Sequence, residues 1–296
     1  FVLIDDQGFN DVGTTSTDLS ECTPTINALG DDGVRLGLYY GQSLCTPSRA
    51  AFLTGKYPVN AGMQHSMISV LSPWGLPVEH TLLPTYLKRA GNYHTHIVGK
   101  WHLGHFAAQH LPLARGFDTH FGYYSGFESY FSHIGEIGSC ASPNCYYDLR
   151  RQVTPAADAE GTHAAYLFPG EAVSILEGHA RGTGRNSPFF LYFAIPNVHA
   201  PVMVPDHLYV EHAAVLDKIE NSERKAFAAL TILADEAINN VTEALRSSGA
   251  YDNAVIVIAS DNGGNPNIEG SGSNYPLRGM KGDLWEGGIR VHALVH

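Results

Sequence analysis

The sequence predicts an α/β fold with a mainly parallel sheet flanked by helices. Strand-sized apolar runs (Phe1–Ile4, His94–Val98, Phe189–Ile195, Ala254–Ala259) alternate with helical segments such as Leu82–Ala90 and Glu223–Ser247. That alternation is the mark of a parallel sheet with crossover helices. Polar and ionisable residues follow the strands instead of interrupting them. In open α/β sheets ligands bind beyond the carboxyl ends of the strands. The 296 residues, 44% of them hydrophobic, are enough for one large core.

Taken in order, Phe1–Ile4 is a short buried strand ending in Asp5-Asp6-Gln7-Gly8. Two adjacent carboxylates there form either a solvated turn or a pair of hard-cation ligands, because uncompensated burial is costly. Thr25–Gly30 reads as a helix after Pro24, and Val34–Tyr40 as a strand. Next comes Cys45-Thr46-Pro47-Ser48-Arg49-Ala50-Ala51-Phe52-Leu53-Thr54-Gly55-Lys56. Pro47 suits a first helical turn, so Cys45 is expected at a helix N-terminus, where free N–H groups and the dipole favour anions. Arg49, about one turn on, offers a planar fork of donors to an oxyanion.

Leu82–Ala90 is a helix stopped by Gly91, and His94–Val98 a strand running into Gly99-Lys100-Trp101-His102-Leu103-Gly104. Residues 115–169, rich in Gly, Tyr, Ser and Asp, read mostly as loop. Glu171–His179 is a helix, and the strand Phe189–Ile195 leads to Asn197-Val198-His199-Ala200-Pro201. Glu223–Ser247 is the longest helix, with Leu230, Leu233, Ala237, Val241 and Leu245 on one face. Ala254–Ala259 is a strand that leads to Ser260-Asp261-Asn262-Gly263-Gly264, and Lys281 and Trp285-Glu286-Gly287-Gly288 close the chain.

The net charge of −11 and the lack of any basic run argue against nucleic-acid binding. No apolar run reaches the length of a membrane span. Cys140 and Cys145 flank a short segment and are expected to close a small disulfide loop, which implies an oxidising compartment. Asn240-Val241-Thr242 is a glycosylation sequon. Cys22 has no evident partner. The chain starts inside a strand and stops abruptly, as expected of a catalytic domain, residues 1–296, trimmed at both ends.

Asp5, Asp6, Asp261 and Asn262 offer oxygen donors, which suit Ca²⁺ or Mg²⁺; the histidines keep zinc open, but the oxygen donors favour a hard cation. Lys100, Lys281 and Arg49 would offset anionic charge, and His102 and His199 are candidates for base and acid. Any one of the chain's 16 histidines taken alone is an ordinary hydrogen-bonded residue. Position after a strand singles out these two.

The Cys45–Lys56 stretch resembles the signature of the sulfatase family, matching at Cys45, Pro47, Ser48, Arg49 and Gly55. Asp5-Asp6, Gly99–Gly104, Val198–Pro201 and Ser260–Gly264 also resemble sulfatase motifs, in family order. Leu44–Gly55, Arg115–Tyr123 and Tyr275–Gly288 are most similar to the arylsulfatase B, or N-acetylgalactosamine-4-sulfatase, branch. The resemblance implies an alkaline-phosphatase-like core whose small C-terminal domain is missing from this chain. It implies a sulfuric ester hydrolase acting on aryl sulfates or sulfated sugars.

By the same resemblance, Cys45 is oxidised to formylglycine by a formylglycine-generating enzyme. Asp5, Asp6, Asp261, Asn262 and the modified Cys45 then hold Ca²⁺. Arg49 stabilises the aldehyde hydrate, Lys100 and Lys281 bind sulfate, His199 with Lys281 protonates the leaving alcohol, and His102 takes the hydrate proton. A lysosomal or secreted setting is implied. Three rivals stand beside this reading; the Cys45 context argues against the first and the Cys–Arg spacing discounts the second. A phosphatase of the same superfamily would use Ser or Thr and paired zinc ions. A cysteine phosphatase carries a longer loop between Cys and Arg than the three residues here. A catalytically silent homologue would bind sulfated glycans through an unconverted Cys45.

Overall fold

The computed structural model describes residues 1–135, 146–182, 187–267 and 272–296. In chain order the elements are β1 (Val2–Ile4), α1 (Pro24–Asp32), β2 (Val34–Arg35), α2 (Cys45–Thr54), α3 (Leu83–Gly91), β3 (His94–Lys100) and β4 (Thr119–Tyr123). Four two-residue strands follow: β5 (Ile134–Gly135), β6 (Tyr146–Tyr147), β7 (Arg150–Arg151) and β8 (Thr154–Pro155). Then come α4 (Ala164–Arg181), β9 (Phe189–Ile195), α5 (Leu208–Glu211), α6 (Ala213–Leu216), α7 (Ser222–Ser248), β10 (Val257–Ser260), α8 (Glu286–Ile289) and β11 (Ala293–Val295). The architecture is α/β, with mostly parallel pairing among the long strands. Among the described residues no helix is long and apolar enough to cross a membrane.

The chain forms two compact units. The first comprises Phe1, Cys45–Ala194 and Ala244–Asp252. Here β3 lies between β9 and β4, parallel to both, in register from His94↔Phe189 to Gly99↔Ala194 and from His96↔Thr119 to Lys100↔Tyr123. β7 adds to β4 and β8 to β7, both antiparallel. Gly99 has φ +105°, and a Cβ on it would lie 2.0 Å from the Ala194 carbonyl oxygen. Only glycine permits this close approach, so the residue before Lys100 is set by backbone packing. Trp101, fully buried, donates its indole N–H to the carbonyls of Gly104 and His110 and anchors the chain leaving β3.

The second unit comprises Val2–Leu44, Ile195–Glu243 and Asn253–His296. β1 and β10 pair in parallel from Val2↔Ile258 to Ile4↔Ser260, so the two strands end together. β11 is antiparallel to β10 and β2 to β11. Along α7 the expected face, Leu230, Leu233, Ala237, Val241 and Leu245, is buried. The helix also buries Asp235, whose oxygens accept the N–H groups of Thr25 and Ile26 at 2.9 and 2.8 Å. This carboxylate from a distant helix satisfies two of the open donors at the start of α1.

Several boundaries differ from expectation. Val34–Tyr40 is a strand only at Val34–Arg35. Beyond it Leu36 and Gly41 donate to Ala293 and Ile289, but Leu38 is 72% exposed, so no inward face sustains a regular strand. Residues 115–169 contain β4 and the first turns of α4. Pro169 lies inside that helix, giving up one N–H bond instead of starting or ending it. α3 runs to Gly91 and is capped by Asn92, in the left-handed region at φ +54°, one residue past the expected cap Gly91. β10 begins at Val257, although Ile256 already exchanges backbone hydrogen bonds with His296. Cys140 and Cys145 lie outside the described residues. Cys22 is buried, and burial pushes its thiol up to about 11.

His120 on β4 is buried, donates Nδ1–H to the Gln152 carbonyl at 3.0 Å and stacks on Tyr124. Burial lowers its pKa to about 4. The unfolded chain, with an ordinary histidine, takes up that proton near pH 6.5. The folded state therefore gains stability above that pH and loses it as the pH falls toward 4. The stake is roughly 3 kcal/mol. Melting temperatures of wild type and His120→Asn between pH 7.5 and 4.5 should converge as the pH drops. Parallel curves would show that His120 carries no such linkage.

Candidate active site

In the first unit, Cys45 opens α2 and Arg49 follows one turn later, both buried. Arg49 Nη1 donates to the Lys100 carbonyl at 3.2 Å, linking the helix to the end of β3. Thr46 Oγ1 donates to the His102 carbonyl and accepts the Ile68 N–H, each at 3.1 Å. His102 Nε2 lies 3.0 Å from the Ile68 carbonyl. A carbonyl only accepts, so this nitrogen carries the hydrogen and Nδ1 holds the lone pair of the neutral ring. His102 has φ +56°, a conformation disfavoured for a residue with a Cβ, and its N–H and that of Trp101 donate to Tyr124 and Tyr123. The first unit thus gathers Cys45, Arg49, Lys100 and His102, all buried.

In the second unit, the turns after β1 and β10 meet. Asp5, Asp6, Asp261 and Asn262 are all buried. The Asp6 N–H donates to Asp261 Oδ1 at 3.2 Å, and Asn262 Nδ2 donates to Asp6 Oδ1 at 2.8 Å. Lys281 Nζ donates to Asp6 Oδ2 at 2.6 Å, and His199 Nε2 lies 3.6 Å from the same oxygen. His199 Nδ1 donates to the Ala200 carbonyl at 2.5 Å, which leaves Nε2 facing Asp6. Asp6 itself has φ +60°. This residue pattern was visible in the sequence, but its left-handed turn was not.

The chemistry of this group fits a hard cation. Ligand atoms of Asp5, Asp6 and His199 lie within 4.8 Å of one another. Asn262 spends its amide hydrogens on Asp6 and the Gly263 carbonyl, and its buried Oδ1 has no hydrogen-bond partner among the described residues. A buried acceptor beside carboxylates, with no donor, is what an oxygen-liganded cation would satisfy. His199, read from the sequence as an acid, also lies within ligand reach of the pair.

Sequence reasoning missed Thr46 and Ile68. Thr46 sits inside the signature, but its partners are 22 and 56 residues away and follow no spacing rule. Asn240 is exposed on α7, whereas Thr242 of the same sequon is buried and donates to the Ile238 carbonyl.

A family model described as Sulfatase matches residues 1–296. Arylsulfatase J of Mus musculus is 42% identical over 298 residues, covering 100% of this chain and 47% of that protein. N-acetylgalactosamine-6-sulfatase of Homo sapiens is 31% identical over 314 residues, covering 99% of this chain and 55% of that protein. The chain therefore spans about half the length of these curated relatives. Among solved structures, Ps i-CgsB in complex with k-i-k-neocarrahexaose superposes with a TM-score of 0.86 at 30% identity, covering all of this chain and 64% of that one.

Thr46→Val keeps the shape of the side chain and removes both hydrogen bonds. It leaves the Ile68 N–H and the His102 carbonyl buried and unmatched, at a cost of about 1–3 kcal/mol. Thermal unfolding of the variant should shift down by several degrees. An unchanged melting temperature would mean that other groups hold Ile68 and His102 in place.

Proposed function

The chain belongs to the sulfatase family, and on that premise we propose that it hydrolyses sulfate esters of sugars or aryl alcohols. The observation that carries the reading is Cys45, buried as the first residue of α2, with Arg49 one turn behind it in a chain matched throughout by the family model. The proposal takes residues 1–296 as one catalytic domain.

In this reading Cys45, converted to formylglycine by a maturation enzyme, supplies a hydrated aldehyde oxygen as nucleophile. Asp5, Asp6, Asp261 and Asn262, with the modified residue, would hold a hard cation, Ca²⁺ before Mg²⁺, which would supply Lewis-acid polarisation of a sulfate oxygen. Arg49 holds the hydrate through its guanidinium fork. Lys100 and Lys281 bind the remaining sulfate oxygens, placing fixed positive charge where negative charge develops. His102 accepts the hydrate proton on Nδ1, the nitrogen left with the lone pair by the Ile68 contact. His199 in its doubly protonated form, with Lys281, delivers a proton to the departing alcohol from Nε2, the ring nitrogen opposite the one that donates to Ala200.

The substrate class leans toward sulfated sugars because N-acetylgalactosamine-6-sulfatase is among the relatives. The reading takes a lysosomal or secreted setting from family membership, with which the Cys140 and Cys145 spacing and the exposed Asn240 sequon are consistent.

The mass of the tryptic peptide Leu36–Arg49, from protein purified from its own source, tests the nucleophile. An aldehyde or its hydrate at Cys45 is expected. An alkylatable thiol would move the reading to a silent protein that binds sulfated glycans. His199→Ala should slow release of a poor alcohol leaving group far more than that of a good phenol, since only the former needs a proton. Equal losses on both substrates would remove His199 from the acid role.

A further inference from the structure

Asp11 and Arg224 stand outside every role assigned above, yet they form the centre of a buried polar cluster. Asp11 is fully buried and Arg224 nearly so. Asp11 Oδ2 accepts the Gly8 N–H at 2.8 Å, and its two oxygens share the Ser273 N–H at 3.1 Å. Arg224, in the first turn of α7, donates Nη1 to Asp11 Oδ1 at 2.5 Å. Its Nε and Nη2 grip Asp18 at 2.8 and 2.9 Å, and Nη2 also donates to the Asn10 carbonyl at 3.2 Å.

These contacts reach both ligand-bearing turns. Gly8 follows Asp6 by two residues. Ser273 precedes Asn274, whose Oδ1 accepts the Gly264 N–H at 2.8 Å and whose Nδ2 donates to the Gly264 carbonyl at 2.9 Å. Gly264 follows Asn262 by two residues, and its carbonyl also accepts the Lys281 N–H at 3.1 Å. A Cβ on Gly264 would lie 3.1 Å from Gly8 Cα and 3.2 Å from Asp11 Oδ2, so the two turns are packed backbone to backbone. One carboxylate thus ties together the Asp5–Asp6 turn and the segment carrying Lys281, and through Asn274 the Asp261–Asn262 turn.

We propose that Asp11 and Arg224 are positioning residues for the cation site, setting the spacing of the two ligand-bearing turns before a cation arrives. The inference rests on the reading of Asp5, Asp6, Asp261 and Asn262 as ligands. Carboxylates brought together without a cation repel one another, and a rigid tie behind them resists their spreading. Burial pushes the Asp11 carboxyl up to about 6, and the Arg224 guanidinium opposes that shift. The planar fork of Arg224 makes at least four hydrogen bonds, to Asp11, Asp18 and Asn10, more than the three donors of a lysine supply.

The test is calorimetric titration of the metal-stripped full chain with Ca²⁺, alongside melting of the metal-free protein. Arg224→Met should bind Ca²⁺ roughly 10- to 100-fold more weakly, the usual range for removing a group that orients metal ligands. Arg224→Lys should fall between the two. Asp18→Asn, at a partly exposed position, removes half of the clamp with little risk to folding. It should weaken Ca²⁺ binding while the metal-free melting temperature stays near that of the parent. Unchanged affinity in Asp18→Asn and Arg224→Lys overturns the inference, as does a lowered metal-free melting temperature with unchanged affinity. A parent that binds no Ca²⁺ removes the ligand reading, and this inference with it.

Discussion

Three carboxylates held out of water at the ends of two adjacent strands are the constraint on which the second unit depends. Asp5, Asp6 and Asp261 have exposures of 0%, 6% and 1%. Burying a charge costs several kcal/mol unless it is paired and hydrogen-bonded. The parallel pairing of β1 with β10 makes this proximity unavoidable, because both strands end at the same level. Lys281, Asn262 and backbone N–H groups offset part of the cost. Among the described residues no donor reaches the buried Asn262 Oδ1 beside them.

A backbone cost accompanies the electrostatic one. Asp6 and His102, one in each unit, have φ of +60° and +56°. For a residue with a Cβ this costs about 1–2 kcal/mol. Such conformations persist only where the surroundings over-determine them. At His102 those surroundings are the β4 carbonyls, Thr46 and Ile68. At Asp6 they are Asp261, Asn262 and Lys281. In both places the side chain is aimed by a turn that would relax if its partners were removed.

Much of the structure's polar bonding serves to hold such turns. Asp235 caps α1 from α7, Asp11 and Arg224 join two loops to the start of α7, and Arg115 gathers the carbonyls of Leu76, Pro77 and His80. Each is a charged side chain that reaches backbone groups no strand or helix ladder satisfies, in the first turn of α1 for Asp235 and in loops for the others.

The sequence by itself determined the alternation of elements, the buried face of α7, the strand Phe189–Ile195 and the residues that cluster after each strand. These follow from local periodicity, and from the fact that strands of a parallel sheet deliver their following residues to one edge. The Cys45 signature was legible through its resemblance to a family motif and the paired aspartates through their place after a strand, since each lies within a few consecutive residues. Only the tertiary structure decided that Thr46 binds His102 and Ile68, that Asn262 buries an oxygen with no donor among the described residues, and that Asp11 and Arg224 tie the loops beside the aspartates. It also decided that Pro169 sits within a helix and that Val34–Tyr40 is barely a strand. Those outcomes depend on which distant groups end within reach of one another. That proximity is set by packing across more than 200 residues of chain in the case of Asp11 and Arg224, and no local pattern encodes it.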